Sequence, residues 1–113
     1  MHNYAYCSDK YQYTMGKSFY DSGMKDKTAV FNLFYRKAPE NNNWAVVSGV
    51  DEVIEMIANL GNMDPVFFEK FLPGEEYKDF RGYLSAMKFT GNVYAMREGE
   101  IVFPNQPIII VEG

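Results

Sequence analysis

The C-terminal stretch FTGNVYAMREGEIVFPNQPIIIVEG narrows the folds open to this chain more than any other. Its apolar segments are short and are cut by Glu98-Gly99 and by Pro104-Asn105, residue types that favour turns and tolerate left-handed backbone. The pattern predicts strands over 88–96, 99–103 and 107–112, punctuated by those two turns. The unbroken apolar run 108–111 reads as a buried strand. A terminus usually carries loose polar residues unless it is docked. A core strand this close to Gly113 leaves two readings open, a complete small protein or the opening domain of a longer one.

Upstream, helical signals alternate with strands. Asp9 and Gln12 form a capping box and Gly23 suits a C′ position, so 10–22 is predicted as a helix. Tyr11, Met15 and Phe19 recur every four residues along one stripe of it. TAVFNLFYR (28–36) is a predicted strand, with Ala29, Phe31, Leu33 and Tyr35 on one face and Val30, Asn32, Phe34 and Arg36 on the other. After the KAPENNN loop, 44–48 is a short strand. Ser48 and Asp51 suggest a second capping box, and Val50, Val53, Ile54 and Ile57 keep helical spacing up to Gly61. Asp64-Pro65 opens a short helix through Phe71. Pro73-Gly74 breaks it, and a further helix over 75–86 carries Tyr77, Phe80, Tyr83 and Leu84. No internal repeat or low-complexity tract occurs. The expected fold class is α+β, one domain of helices packed on a small, mainly antiparallel sheet.

Charge and composition exclude several functions. The 113 residues are 47% apolar and 17% aromatic, which argues against disorder. A net charge of −4 without a basic run argues against nucleic acid and against an anionic membrane surface. No segment has the length of a membrane span, and MHNYAYCSDK lacks a signal-peptide core. The single cysteine, Cys7, rules out an internal disulfide and fits a reducing cytoplasm, packing as a small hydrophobe. His2 is the only histidine and sits near the terminus, a poor place for a base that must be held at a nucleophile. No His/Cys cluster has metal spacing, and no phosphate-cradling glycine pattern occurs. Glu98 and Glu100 flank a turn glycine and read as solvated. By itself the chain carries no catalytic centre.

Three residues invite a closer reading. Ala86-Met87-Lys88 resembles the modified-lysine tripeptide of biotin and lipoyl carrier domains, but a predicted helix precedes Lys88 where a carrier needs an exposed hairpin tip. Lys88 is expected to be an ordinary solvated lysine, unmodified by a biotin or lipoate ligase. Tyr11 sits in the first turn of a helix, where a ring can stack on a flat heterocycle beside free N–H groups. Read as part of the 11/15/19 stripe, it would instead be core. Arg36 ends a strand beside a loop, a place suited to bidentate phosphate or carboxylate recognition, or equally to a snorkelling surface residue.

Taken in order, several segments resemble the nicotinate phosphoribosyltransferase family. SDKYQYTM (8–15) is similar to its opening T-D-x-Y-Q-x-T-M. SGMKDKTAVFNLFYRKAP is similar to the following strand with its Phe/Tyr-Arg-Lys-x-Pro ending, and WAVVSGVDEVIEMI to the next strand and helix. FTGNVYAMREGEIVFPNQPIIIVEG is close to F-x-G-x-V-x-A-x-x-E-G-x-x-x-F-P-x-x-P-x-x-x-V-x-G. Asn41-Asn42-Asn43 stands where a glycine-rich loop is usual, and Tyr13 where an aliphatic is common.

The resemblance implies an α/β-hammerhead N-terminal domain spanning 1–113, with the catalytic barrel absent and the chain inactive alone. It implies that Tyr11 stacks on the nicotinate ring in a partner subunit's barrel and that Arg36 reaches phosphate there, within a homodimer. The full-length reaction would join nicotinate to phosphoribosyl pyrophosphate with ATP, and Mg, to give nicotinate mononucleotide for NAD biosynthesis. No cofactor is expected in this chain. A stand-alone binding or interaction domain that kept the fold is the alternative. Self-association is expected through uncovered apolar surface, with the aromatic-rich helices and the terminal strand 108–112 contributing.

Overall fold

The structure, a computed structural model, describes residues 8–38 and 42–113. Helix α1, Lys10–Asp21, opens where Gln12 reaches back to accept the Asp9 N–H at 3.0 Å. It closes where Gly23, at φ 70°, lets its own N–H reach the Tyr20 carbonyl and the Met24 N–H reach that of Phe19. Helix α3, Pro65–Phe71, starts on the Asp64 carboxylate, which accepts the Val66 N–H at 2.9 Å. A 3-10 turn over Glu75–Tyr77 leads into α4, Lys78–Ala86. Arg81 of α4 donates to the carbonyls of Leu72 (2.7 Å) and Gly74 (2.8 Å), fixing the turn that separates α3 from α4.

Helix α2, Val50–Ala58, is capped differently from expectation. It begins at Val50, so Ser48 falls outside it and Asp51 lies too early to complete a capping box. The N–H groups of Gly49, Val50 and Asp51 donate instead to the carboxylate of Glu98, remote in sequence. An acid at a helix start also meets the positive end of the helix dipole.

The strands are shorter than the sequence pattern suggests: β1 Val30–Leu33, β2 Ala45–Val46, β3 Asn92–Ala95, β4 Ile101–Val102 and β5 Ile109–Glu112. Among the described residues they form a three-stranded antiparallel sheet in the order β1-β5-β3 and an antiparallel pair of β2 with β4. Hydrogen bonds continue past the regular strands. Ala29 and Gly113 exchange N–H and C=O, Val47 bonds Glu100 and Gly99, and Met96 donates to Ile108. Residues 88–90, expected as the start of a strand, have no regular structure. The terminal strand β5 is the central strand of its sheet, so it is not the uncovered edge expected from the sequence.

The described chain forms two compact units, one of residues up to Lys27 with Met56–Phe89, the other of Thr28–Glu55 with Thr90–Gly113. In the first, Tyr13, Phe67, Phe68, Leu72, Phe80 and Leu84 make the core. Tyr13 meets Phe68 edge-on at 5.7 Å and Phe71 at 5.6 Å. In the second, Val47, Val50, Val102 and Ile109 make the core, with Tyr35, Val93 and Val111 packed against it. Val93 and Val111 are cross-strand partners and so share the sheet face turned to that core. Among the described residues no helix is long and apolar enough to cross a membrane.

Candidate functional site

Tyr11 is the second residue of α1, and its side chain is turned outward, 59% exposed. Met15 and Phe19, on the same stripe, are each 50% exposed. The stripe read from the sequence is real, but it is the solvent face of α1, not its core face. Tyr13 supplies the core contact instead, at 9% exposure. The ring whose identity departs from the resembling pattern is thus the one that holds the helix to its unit. Tyr11 contributes an accessible aromatic face beside the first turn of a helix, and its carbonyl accepts the Thr14 hydroxyl at 3.0 Å.

Below the start of α1, in the same unit, Phe67 and Phe71 stack at 4.9 Å along an open pocket of about 430 Å³. Lys10 reaches over the Phe71 ring at 6.0 Å. Among the described residues that line the pocket the one carboxylate is Asp64, which accepts the Val66 N–H at the start of its own helix.

Arg36 belongs to the second unit. It follows β1 at a bend and is exposed, and no described residue holds its guanidinium in a hydrogen bond or ion pair. Its neighbours in sequence are fixed. The Tyr35 hydroxyl donates to the Val102 carbonyl at 3.0 Å and the Tyr35 carbonyl accepts the Asn105 N–H at 2.8 Å, while Ala38 is buried. The chain therefore presents Arg36 and Lys37 outward between two anchored positions. Sequence reasoning singled out Arg36 and missed the Tyr35 anchor, whose signal was a tyrosine immediately before the arginine.

The remaining candidates are not brought into a catalytic set. Glu98 caps α2 and Glu100 accepts the Arg97 N–H at 2.8 Å, so both acids have structural partners. Lys88 is exposed and follows α4 after a single residue, away from any hairpin tip. His2, Cys7 and Asn41 lie outside the described residues. Among the described residues, no group of three or more His, Cys, Asp or Glu is placed to hold a metal ion.

Residues 7–113 match the family model described as the nicotinate phosphoribosyltransferase (NAPRTase) N-terminal domain. The chain belongs to the nicotinate phosphoribosyltransferase family. It is 38% identical over 108 residues to nicotinate phosphoribosyltransferase of Bacillus subtilis, covering 94% of this chain and 22% of that protein. It is 35% identical over 109 residues to nicotinate phosphoribosyltransferase 2 of Arabidopsis thaliana, covering 94% of this chain and 19% of that one. The crystal structure of human nicotinic acid phosphoribosyltransferase superposes with a TM-score of 0.76 at 28% identity, over 94% of this chain and 22% of the human chain. The chain thus corresponds to the N-terminal domain of this family, has its α+β fold, and spans about a fifth of the length of these relatives.

Proposed function

We propose that this chain is the substrate-capping domain of a nicotinate phosphoribosyltransferase, closing the nicotinate pocket in the barrel of a partner subunit. The carrying observation is Tyr11, held in the first turn of α1 with its ring face open, inside a stretch that resembles the family's opening motif. Stacking needs an accessible, rigidly held ring, and a helix turn supplies one at small entropic cost. Arg36 adds a planar two-donor fork on an exposed bend, suited to the phosphates of phosphoribosyl pyrophosphate. The domain works within a homodimer in the cytoplasm, in the ATP-coupled, ligase-type reaction that forms nicotinate mononucleotide for NAD biosynthesis. ATP and magnesium belong to the rest of the full-length enzyme in this proposal. The chain alone is inactive. The stand-alone binding domain is less favoured, because the match to the family's N-terminal domain takes in residues 7–113.

The test is a graft. This chain replaces the matching segment of the Bacillus subtilis enzyme, and nicotinate mononucleotide formation is measured. Activity that falls when Tyr11 becomes Ala, through a raised KM for nicotinate, supports capping. A folded, active graft indifferent to Tyr11→Ala and to Arg36→Ala overturns it.

A further inference from the structure

Arg36 is the first residue beyond a run of anchored backbone. The Leu33 carbonyl accepts the Ile108 N–H at 2.8 Å, and the Tyr35 carbonyl accepts the Asn105 N–H at 2.8 Å, so the ladder beside β5 continues past β1 to the residue before the arginine. The Tyr35 carbonyl carbon is bonded directly to the Arg36 nitrogen. Holding that carbonyl therefore holds the peptide plane from which Arg36 hangs, because the peptide unit is planar. The other end of Tyr35 is tied to the same segment, its half-buried hydroxyl donating to the carbonyl of Val102 at 3.0 Å. Both ties run to the residues around one turn.

That turn is itself locked. The Gln106 N–H donates to the Phe103 carbonyl and the Gln106 side chain accepts the Phe103 N–H, both at 3.1 Å. Asn105 has φ 64°, a left-handed conformation that asparagine tolerates better than most residues, and this is the conformation in which its N–H meets Tyr35. A residue that resists positive φ would turn that donor away.

We infer that the Phe103–Gln106 turn and Tyr35 together are the positioning device for Arg36, setting the direction in which its guanidinium meets phosphate. This rests on the phosphate-binding reading of Arg36 given above. Tyr35 and Asn105 are positioning residues and touch no substrate themselves.

Two measurements test it separately. In the 113-residue chain, 15N relaxation should show the Arg36 amide as ordered as β1, and more mobile in Asn105→Ala and Tyr35→Phe. Asn105→Gly should match wild type, since glycine takes positive φ freely. An Arg36 amide equally ordered in all these variants overturns the inference whatever Arg36 binds. In the grafted enzyme, Tyr35→Phe should raise KM for phosphoribosyl pyrophosphate about fivefold, the size of one lost hydrogen bond, with KM for nicotinate and kcat held. A merely structural Tyr35 would lower Tm and leave that split at wild type, which also overturns the inference. If Arg36→Ala leaves KM for phosphoribosyl pyrophosphate unchanged, the phosphate reading fails, and the inferred link to substrate fails with it, even where the relaxation result holds.

Discussion

At the scale of single residues, exposure separates a binding role from a core role more sharply than sequence did. Tyr11 and Tyr13 lie two positions apart on one helix, yet one faces solvent and the other packs among Phe67, Phe68 and Phe71. Helical periodicity found the 11/15/19 stripe correctly. It could not say which stripe of a helix rich in tyrosine faces inward, because that is decided by partners on α3 and α4. Tyr11→Ala should therefore leave the Tm of the chain near wild type and weaken nicotinate binding in the grafted enzyme by about 1–3 kcal/mol, with Tyr11→Phe close to normal. Tyr13→Ala should do the reverse, lowering stability in urea by about 3–5 kcal/mol, as for other large aromatic deletions from a core. Arg36→Lys keeps the charge and loses the fork, so KM for phosphoribosyl pyrophosphate should rise without a change in Tm. Kinetics at wild-type level in that variant would remove Arg36 from the site.

At the scale of elements, boundaries were legible where the signal was local and obscure where it came from afar. The Asp9–Gln12 box and Gly23 marked α1, and Asp64-Pro65 marked the start of α3, because each cap lies within a few residues of its helix. The cap of α2 was misread because its acid is Glu98, which reaches it through the tertiary fold. Strand ends were overextended for a similar reason, since alternation persists in flanking segments that bond only once or twice. Glu98→Ala should therefore destabilise the chain by about 1 kcal/mol, read as a lower urea midpoint, even though it sits on a turn far from α2 in sequence. Gly91 gives a stronger case. A Cβ built there would stand 1.7 Å from the Glu112 carbonyl oxygen, backbone that cannot step aside without disturbing the pairing of β3 with β5. Gly91→Ala should lose the cooperative transition of the second unit, visible as lost amide protection in β5. Native protection in that variant would show that the sheet end can shift after all.

At the scale of the whole molecule, the unusual property is how much large apolar surface stays in water. Phe31 is 70% exposed, Val30 60%, Trp44 53% and Tyr94 55%, besides the stripe on α1. Scattered exposed hydrophobes are ordinary, but here several fall on shared surfaces. By register Val30, Asn32, Tyr94 and Ile110 share one face of the three-stranded sheet, opposite the face that carries Val93 and Val111. Covering apolar surface is favourable at about 25 cal/mol per Å², so such a face tends to find a partner. In the proposed function that partner is the remainder of a longer enzyme and its second subunit. The isolated chain should then associate with itself, reversibly and in a concentration-dependent way. The edges through which it would do so are β1 and β3, not β5, since both sides of β5 are already paired. Sedimentation velocity across micromolar concentrations should show the average mass rising. Val30→Lys, which puts a charge on the exposed face of the edge strand β1, should return the chain towards monomer while its urea midpoint stays near wild type. A strict monomer at every concentration would mean that the exposed sheet face is tolerated by itself, and association by the unmutated edge would be withdrawn.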